Sequence, residues 1–96
     1  MIKRIVKLHF QEQFTDEFLD LYKNHLNGIK NFPDCQNLEI YSTGTEKGIF
    51  ITLSLWKSEE ALNNYRSSQY FKDIWTSIKP WFAEKAEAWT LDKIEF

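Results

Sequence analysis

The 96-residue chain carries 12 basic and 14 acidic residues, for a net charge of −2, with the two signs interspersed. That pattern excludes the concentrated positive face a phosphate backbone requires, and no apolar run reaches the ~20 residues needed to cross a bilayer. One cysteine, Cys35, leaves no internal disulfide and no cysteine-based zinc site. Met1 to Phe10 has no continuous apolar region or cleavage site of a signal peptide, so a cytoplasmic location is expected.

The length sets residues 1–96 as one domain, burying roughly 65% of the surface its unfolded chain would expose. Aromatic residues make up 17% of the chain: four Trp, four Tyr and eight Phe. That is more large apolar surface than one modest core hides, which implies a partner subunit, an aromatic-lined pocket, or both.

Ile2 to Gln11 alternates, with Ile2, Val6, Leu8 and Phe10 on one face and Lys3, Ile5, Lys7 and His9 on the other, the period of a strand. Thr15 has the chemistry of an N-cap, Asp16 and Glu17 suit the first turn, and Phe14 with Leu19 has the spacing of a hydrophobic staple. A helix to about Gly28 follows, its stripe formed by Phe18, Tyr22, His25 and Ile29. Phe32-Pro33-Asp34 ends it. Leu38 to Ser42 reads as a second strand, Thr43 to Gly48 as a hairpin turn and Ile49 to Trp56 as a third strand, apolar on both faces and therefore central.

Ser58 caps a short helix over roughly Glu59 to Arg66, and Ser67-Ser68 breaks the chain and caps again. The next helix presents Phe71, Ile74, Trp75, Ile78 and Phe82, with Pro80 kinking or ending it. Glu87 to Phe96 reads as a last strand whose phase shifts. Either a bulge near Asp92-Lys93 or a strand end leaving the sheet to meet a partner accounts for the shift.

The order β-α-β-β-α-α-β, with short connections and right-handed crossovers, predicts an α+β, ferredoxin-like fold with a four-stranded antiparallel sheet and a split second helix. Helices cover one sheet face. Ile5 points to the other, with either Ile51 and Leu53 or Phe50 and Trp56. A second copy of the same face is the simplest cover, so a homodimer through the sheet face and C-terminal strand is expected.

Trp56-Lys57-Ser58-Glu59-Glu60-Ala61, Tyr65-Arg66-Ser67-Ser68-Gln69-Tyr70-Phe71 and Pro80-Trp81-Phe82 together resemble the antibiotic biosynthesis monooxygenase-like family, as does Asp34-Cys35 followed by Leu38-Glu39-Ile40-Tyr41. The resemblance runs from first strand to last and implies a dimeric α/β barrel. The family holds oxygenases that use neither metal nor flavin, quinol oxygenases, haem-degrading enzymes and members of unassigned role. Members with assigned chemistry often carry His in the two helices after the Trp motif, where this chain has Tyr65 and Tyr70. In the haem-degrading branch the position matching Trp75 is the haem-ligating His, and Trp does not ligate iron, so the resemblance argues against that route and no cofactor is expected.

Oxygenation without a cofactor needs a base, a hydrogen-bond donor for the resulting oxyanion and a dry aromatic slot. His25 or His9 is the candidate base, Tyr41 and Tyr65 are candidate donors, and Trp56, Phe71, Trp75, Tyr65 and Tyr22 are candidate ligand-binding residues. Each has a plainer reading. His25 borders an apolar stripe, His9 shares a strand face with Lys3 and Lys7, Tyr41 is placed to reach water, and aromatic stripes at helical spacing usually pack a core. Cys35 has no neighbouring cation in sequence to stabilise a thiolate. The leading expectation is a metal- and flavin-free monooxygenase-like protein acting on a small aromatic or quinol compound. The rival is a non-catalytic small-ligand-binding or stress-associated dimer, and a third reading is a sugar mutarotase using His25 and Tyr41.

Overall fold

A computed structural model describes residues 1–96. Four strands, β1 (Ile2–Phe10), β2 (Cys35–Ser42), β3 (Ile49–Trp56) and β4 (Phe82–Asp92), form one antiparallel sheet in the order β2-β3-β1-β4. Helices α1 (Thr15–Lys30), α2 (Glu59–Arg66) and α3 (Gln69–Ile78) lie against one face. This is the ferredoxin-like α+β topology that the element order requires.

Alternation in β1 and β3 decides which face is which. Opposed residues share a face, and the β1–β3 register sets Val6 against Thr52 and Leu8 against Phe50. These point toward the helices with Trp56, which is fully buried and donates its indole N–H to Ser54 Oγ at 2.9 Å. Ile51, Leu53 and Leu55 therefore occupy the open face beside Ile5, which settles the choice that periodicity left between the two sets. Trp89 lies opposite Ile5 and Leu91 opposite Lys3, so β4 adds two large apolar side chains to the open face, 47% and 40% exposed.

Helix starts follow their caps where a serine is present. Ser58 Oγ accepts from Ala61 N–H at 3.1 Å and Ser68 Oγ from Phe71 N–H at 3.1 Å, satisfying amides that the helix itself leaves unpaired. The start of α1 differs from expectation. A 3₁₀ turn over Glu12–Phe14 precedes it, Phe14 stands at the cap position and Thr15 instead donates its hydroxyl to the Glu12 carbonyl at 2.9 Å. The Phe14–Leu19 staple does not govern this end. Phe14 stacks on Trp81 at 6.0 Å, and Leu19 is 42% exposed.

The C-terminal third also departs from the periodicity. Pro80 lies in a second 3₁₀ turn, Lys79–Trp81, and Phe82 opens β4 rather than closing a helix. Its ring stacks on Phe10 at 5.0 Å, and the Gln11 amide donates to the Trp81 carbonyl at 2.9 Å, so the turn delivers the chain straight into the sheet. β4 thus begins five residues before the expected Glu87. It also ends at Asp92, which still pairs with Ile2, so residues 93–96 leave the sheet instead of continuing the strand to Phe96, and no bulge lies at Asp92-Lys93. The register slips between Lys7 and Phe10 of β1, where β4 has extra residues. β2 likewise begins at Cys35, three residues early, with a slip between Cys35 and Asn37.

The hairpin between β2 and β3 closes on Gly48, whose φ of +88° favours glycine. A Cβ there would lie 2.4 Å from the Phe10 carbonyl oxygen.

Candidate functional site

Under the helices, the sheet surface changes character along its width. Below α1 it is filled by Phe10, Phe18 and Phe50, with Phe10–Phe18 ring centroids at 4.2 Å and Phe18–Phe50 at 5.2 Å. Toward β4 the helix-facing positions are Ala86, Ala88 and Thr90, and in β3 they include Thr52 and Ser54. Small side chains on the floor leave a gap that α2 and α3 roof over. The result is a cavity of about 320 Å³, partly open to solvent. That size is near the lower end for small-molecule sites.

One wall is a row of rings. Tyr65 stacks on Trp56 at 4.9 Å and meets Phe71 edge-on at 5.1 Å; Phe71 stacks on Trp75 at 5.9 Å, and Trp75 reaches Phe82 at 5.5 Å. Trp56, Tyr65, Phe71 and Trp75 all line the cavity, and Tyr22 closes it from α1. These are the five residues the sequence suggested as ligand-binding. The break at Ser67-Ser68 makes the row: Ser68 caps α3 afresh, so Tyr65 at the end of α2 and Phe71 at the start of α3 face each other.

Fourteen of the eighteen lining residues are hydrophobic; the other four are Arg4, Thr52, Ser54 and Arg66. Burial pushes the Tyr65 and Tyr22 phenols well above their ordinary range, so at neutral pH both are protonated and able to donate. Neither an imidazole nor a carboxylate lines the cavity.

The remaining candidates lie elsewhere. His25 sits on α1, outside the cavity, with Nδ1 3.0 Å from the Tyr70 hydroxyl, and that hydroxyl donates to the His25 carbonyl at 3.3 Å. Its ring is held at the α1–α3 junction, and the expectation that it acts as base inside the cavity is corrected on that ground. Tyr41 is also outside. It projects from the open face of β2, 50% exposed, and donates to Glu39 Oε2 at 2.9 Å. Residue parity explains this, since Ile40 takes the helix-facing position and Tyr41 must take the other. His9 lies at the end of β1 near Glu46 and Lys47, away from the cavity. Cys35 is half-buried, and burial pushes its thiol up, which leaves little thiolate.

Sequence reasoning passed over Arg4, Arg66 and the small floor of β4. The available signal was Ala86 and Ala88 at alternate positions of a strand, flanked by charged residues that drew attention to the other face.

An apolar, ring-walled cavity lies between a ferredoxin-like sheet and a split helix, and the fold defines an α+β protein. Residues 1–76 match the sequence profile of the family described as antibiotic biosynthesis monooxygenase. The chain belongs to that family, and by family and fold it is monooxygenase-like. No curated protein sequence matches it. Among solved structures, a candidate antibiotic biosynthesis monooxygenase of Caulobacter crescentus is 26% identical, with 98% of this chain and 90% of that one covered and a TM-score of 0.90. A conserved protein of Methanosarcina mazei Go1 is 22% identical over 97% of this chain and 92% of that one, with a TM-score of 0.90. A mutant of SnoaB, a cofactor-independent oxygenase from Streptomyces nogalater, shares the fold with a TM-score of 0.83 at 8% identity, covering 99% of this chain and 94% of that one. No helix of the chain is long and apolar enough to cross a membrane.

Proposed function

We propose that the chain is a monooxygenase acting, without metal or flavin, on a small aromatic or quinol compound held in the cavity. The observation that carries the reading is the ring-walled cavity itself, with the Tyr65 phenol on its wall. An electron-rich ring slots beside Tyr65, Phe71 and Trp75, with the buried Trp56 backing Tyr65. Tyr65 donates to the oxygen on which negative charge develops, a role that its protonated state suits. The substrate supplies the electrons to O₂; one oxygen atom enters the product and the other leaves as water. With no imidazole on the wall, the substrate's proton leaves through the open side to solvent.

The open sheet face supports a homodimer. Ile5, Ile51, Leu53, Leu55, Trp89 and Leu91 form a broad apolar surface on β1, β3 and β4, and a second copy is its cover. Ile94 and Phe96 are exposed beyond the end of β4, free of this chain's own sheet and available to a second copy.

The absence of an acid–base pair on the lining favours a second reading, a non-catalytic receptacle for the same class of compound. O₂ uptake with a panel of hydroquinones separates the two. Turnover above the uncatalysed rate that falls when Tyr65→Phe is introduced supports the enzyme; binding of panel members without uptake supports the receptacle.

A further inference from the structure

Among the residues lining the cavity, Arg4 and Arg66 are the only charged ones. They come from distant parts of the chain, Arg4 from the helix-facing side of β1 and Arg66 from the last residue of α2, and converge on one cavity. Neither takes part in an ion pair: the chain's two are Lys7–Glu87 and Lys93–Glu95, both elsewhere. Arg4 has a neutral anchor, Nη1 donating to Thr90 Oγ1 at 2.7 Å, which fixes the guanidinium beside the floor of β4 while leaving its other donors free. Burial, and then the like charge of Arg66, hold the Arg4 guanidinium below its ordinary range.

Arg66 has a plainer role as well, since a cation in the last turn of a helix complements the dipole. Arg4 has no such account. Arg4 is half-buried and Arg66 exposed, and with no carboxylate on the lining both guanidinium groups keep donors available at the cavity.

The geometry points to a ligand that brings a complementary charge: a small aromatic compound bearing an ionised carboxylate, its rings against Tyr65, Phe71 and Trp75 and its carboxylate between Arg4 and Arg66. A guanidinium presents a planar fork that matches a carboxylate bidentately, and the remaining wall is apolar enough to take one or two rings. The inference rests on the reading of the cavity as the ligand site and adds the polarity of its occupant.

The test is titration of the full chain with 2-naphthoate and with its neutral counterpart 2-naphthalenemethanol, followed by quenching of tryptophan fluorescence, with Trp75 on the wall as reporter. The anion is expected to bind at least roughly tenfold more tightly, the scale of one hydrogen bond to a charged group. The Arg66→Gln and Arg4→Gln variants are each expected to remove most of that preference. Arg66→Lys, which keeps the charge without the fork, retains part of it. Binding of the neutral probe to each variant reports that the cavity is still formed. Equal affinity for the two probes in the unmodified protein, or an unchanged preference in both Gln variants, overturns the anion assignment and leaves the cavity reading standing. If neither probe binds, the cavity reading fails and the anion assignment with it.

Discussion

Gly28 and Tyr70 face each other where α1 meets α3, and their contact makes a stability prediction whose sign depends on background. In an exposed helical position Gly→Ala ordinarily stabilises by about 0.5–1 kcal/mol, because the unfolded chain loses freedom. Here a Cβ on Gly28 would lie 2.2 Å from the Tyr70 hydroxyl oxygen and 3.0 Å from the ring carbon that bears it. Gly28→Ala must therefore push the phenol aside and break its hydrogen bonds with His25 Nδ1 and the His25 carbonyl. Two partly buried hydrogen bonds contribute about 1–2 kcal/mol, so the substitution is expected to destabilise by about 0.5–1 kcal/mol net. In a Tyr70→Phe background the hydroxyl and both bonds are already gone, the ring carbon yields a few tenths of an ångström, and Gly28→Ala becomes neutral or mildly stabilising. Urea denaturation of the four proteins of the cycle, followed by far-UV circular dichroism, measures the coupling, expected at about 1–2 kcal/mol. Additivity within about 0.5 kcal/mol, the range found for independent sites, or stabilisation by Gly28→Ala alone, would refute the contact.

Two further outcomes follow from burial and from the open face. Tyr22 and Tyr65 keep their protons in the folded chain beyond the ordinary phenol value of about 10, whereas the unfolded chain releases them there. Folding stability from this source is complete below pH ~10 and declines above it, by up to about 1.4 kcal/mol per pH unit for each phenol. Urea midpoints measured from pH 8 to pH 11 should fall only over the last unit, and phenolate absorbance from these two residues appearing before unfolding would contradict the assignment. Leu53→Glu places a charge at the centre of the open face, between Ile5 and Glu39 in the register. Light scattering at micromolar concentration should give twice the monomer mass for the unmodified chain and the monomer mass for the variant; a monomeric unmodified chain would dismiss the dimer.

The strands and helices were legible because their signals are local. Alternation in Ile2–Phe10 and Ile49–Trp56 and the serines at 58 and 68 each specify geometry within a few residues. What escaped depends on partners distant in sequence. Phe82 continues the helical spacing of Phe71, Ile74, Trp75 and Ile78, yet Phe10, seventy-two residues earlier, claims its ring. His25 keeps the phase of Tyr22, but Tyr70 holds it at the helix junction while Tyr22 continues into the cavity. Tyr41 could be assigned only after the hydrogen-bond register had fixed which parity of β2 faces the helices. Arg4 looked like one of several scattered N-terminal cations until the fold set it beside Arg66.

The floor of the cavity belongs to an edge strand. β4 pairs on one side only, with β1, and its helix-facing residues Ala86, Ala88 and Thr90 contribute none of the fully buried side chains that hold the domain together. Shape of the guest and integrity of the host are therefore encoded in different places. Substitutions away from cores and caps usually shift stability by no more than about 0.5 kcal/mol, so exchanging the exposed Ala88 reshapes or repolarises the floor while Phe10, Phe18 and Trp56 stay fixed. In such a scaffold the shape of the cavity can be altered without touching the side chains that hold the fold.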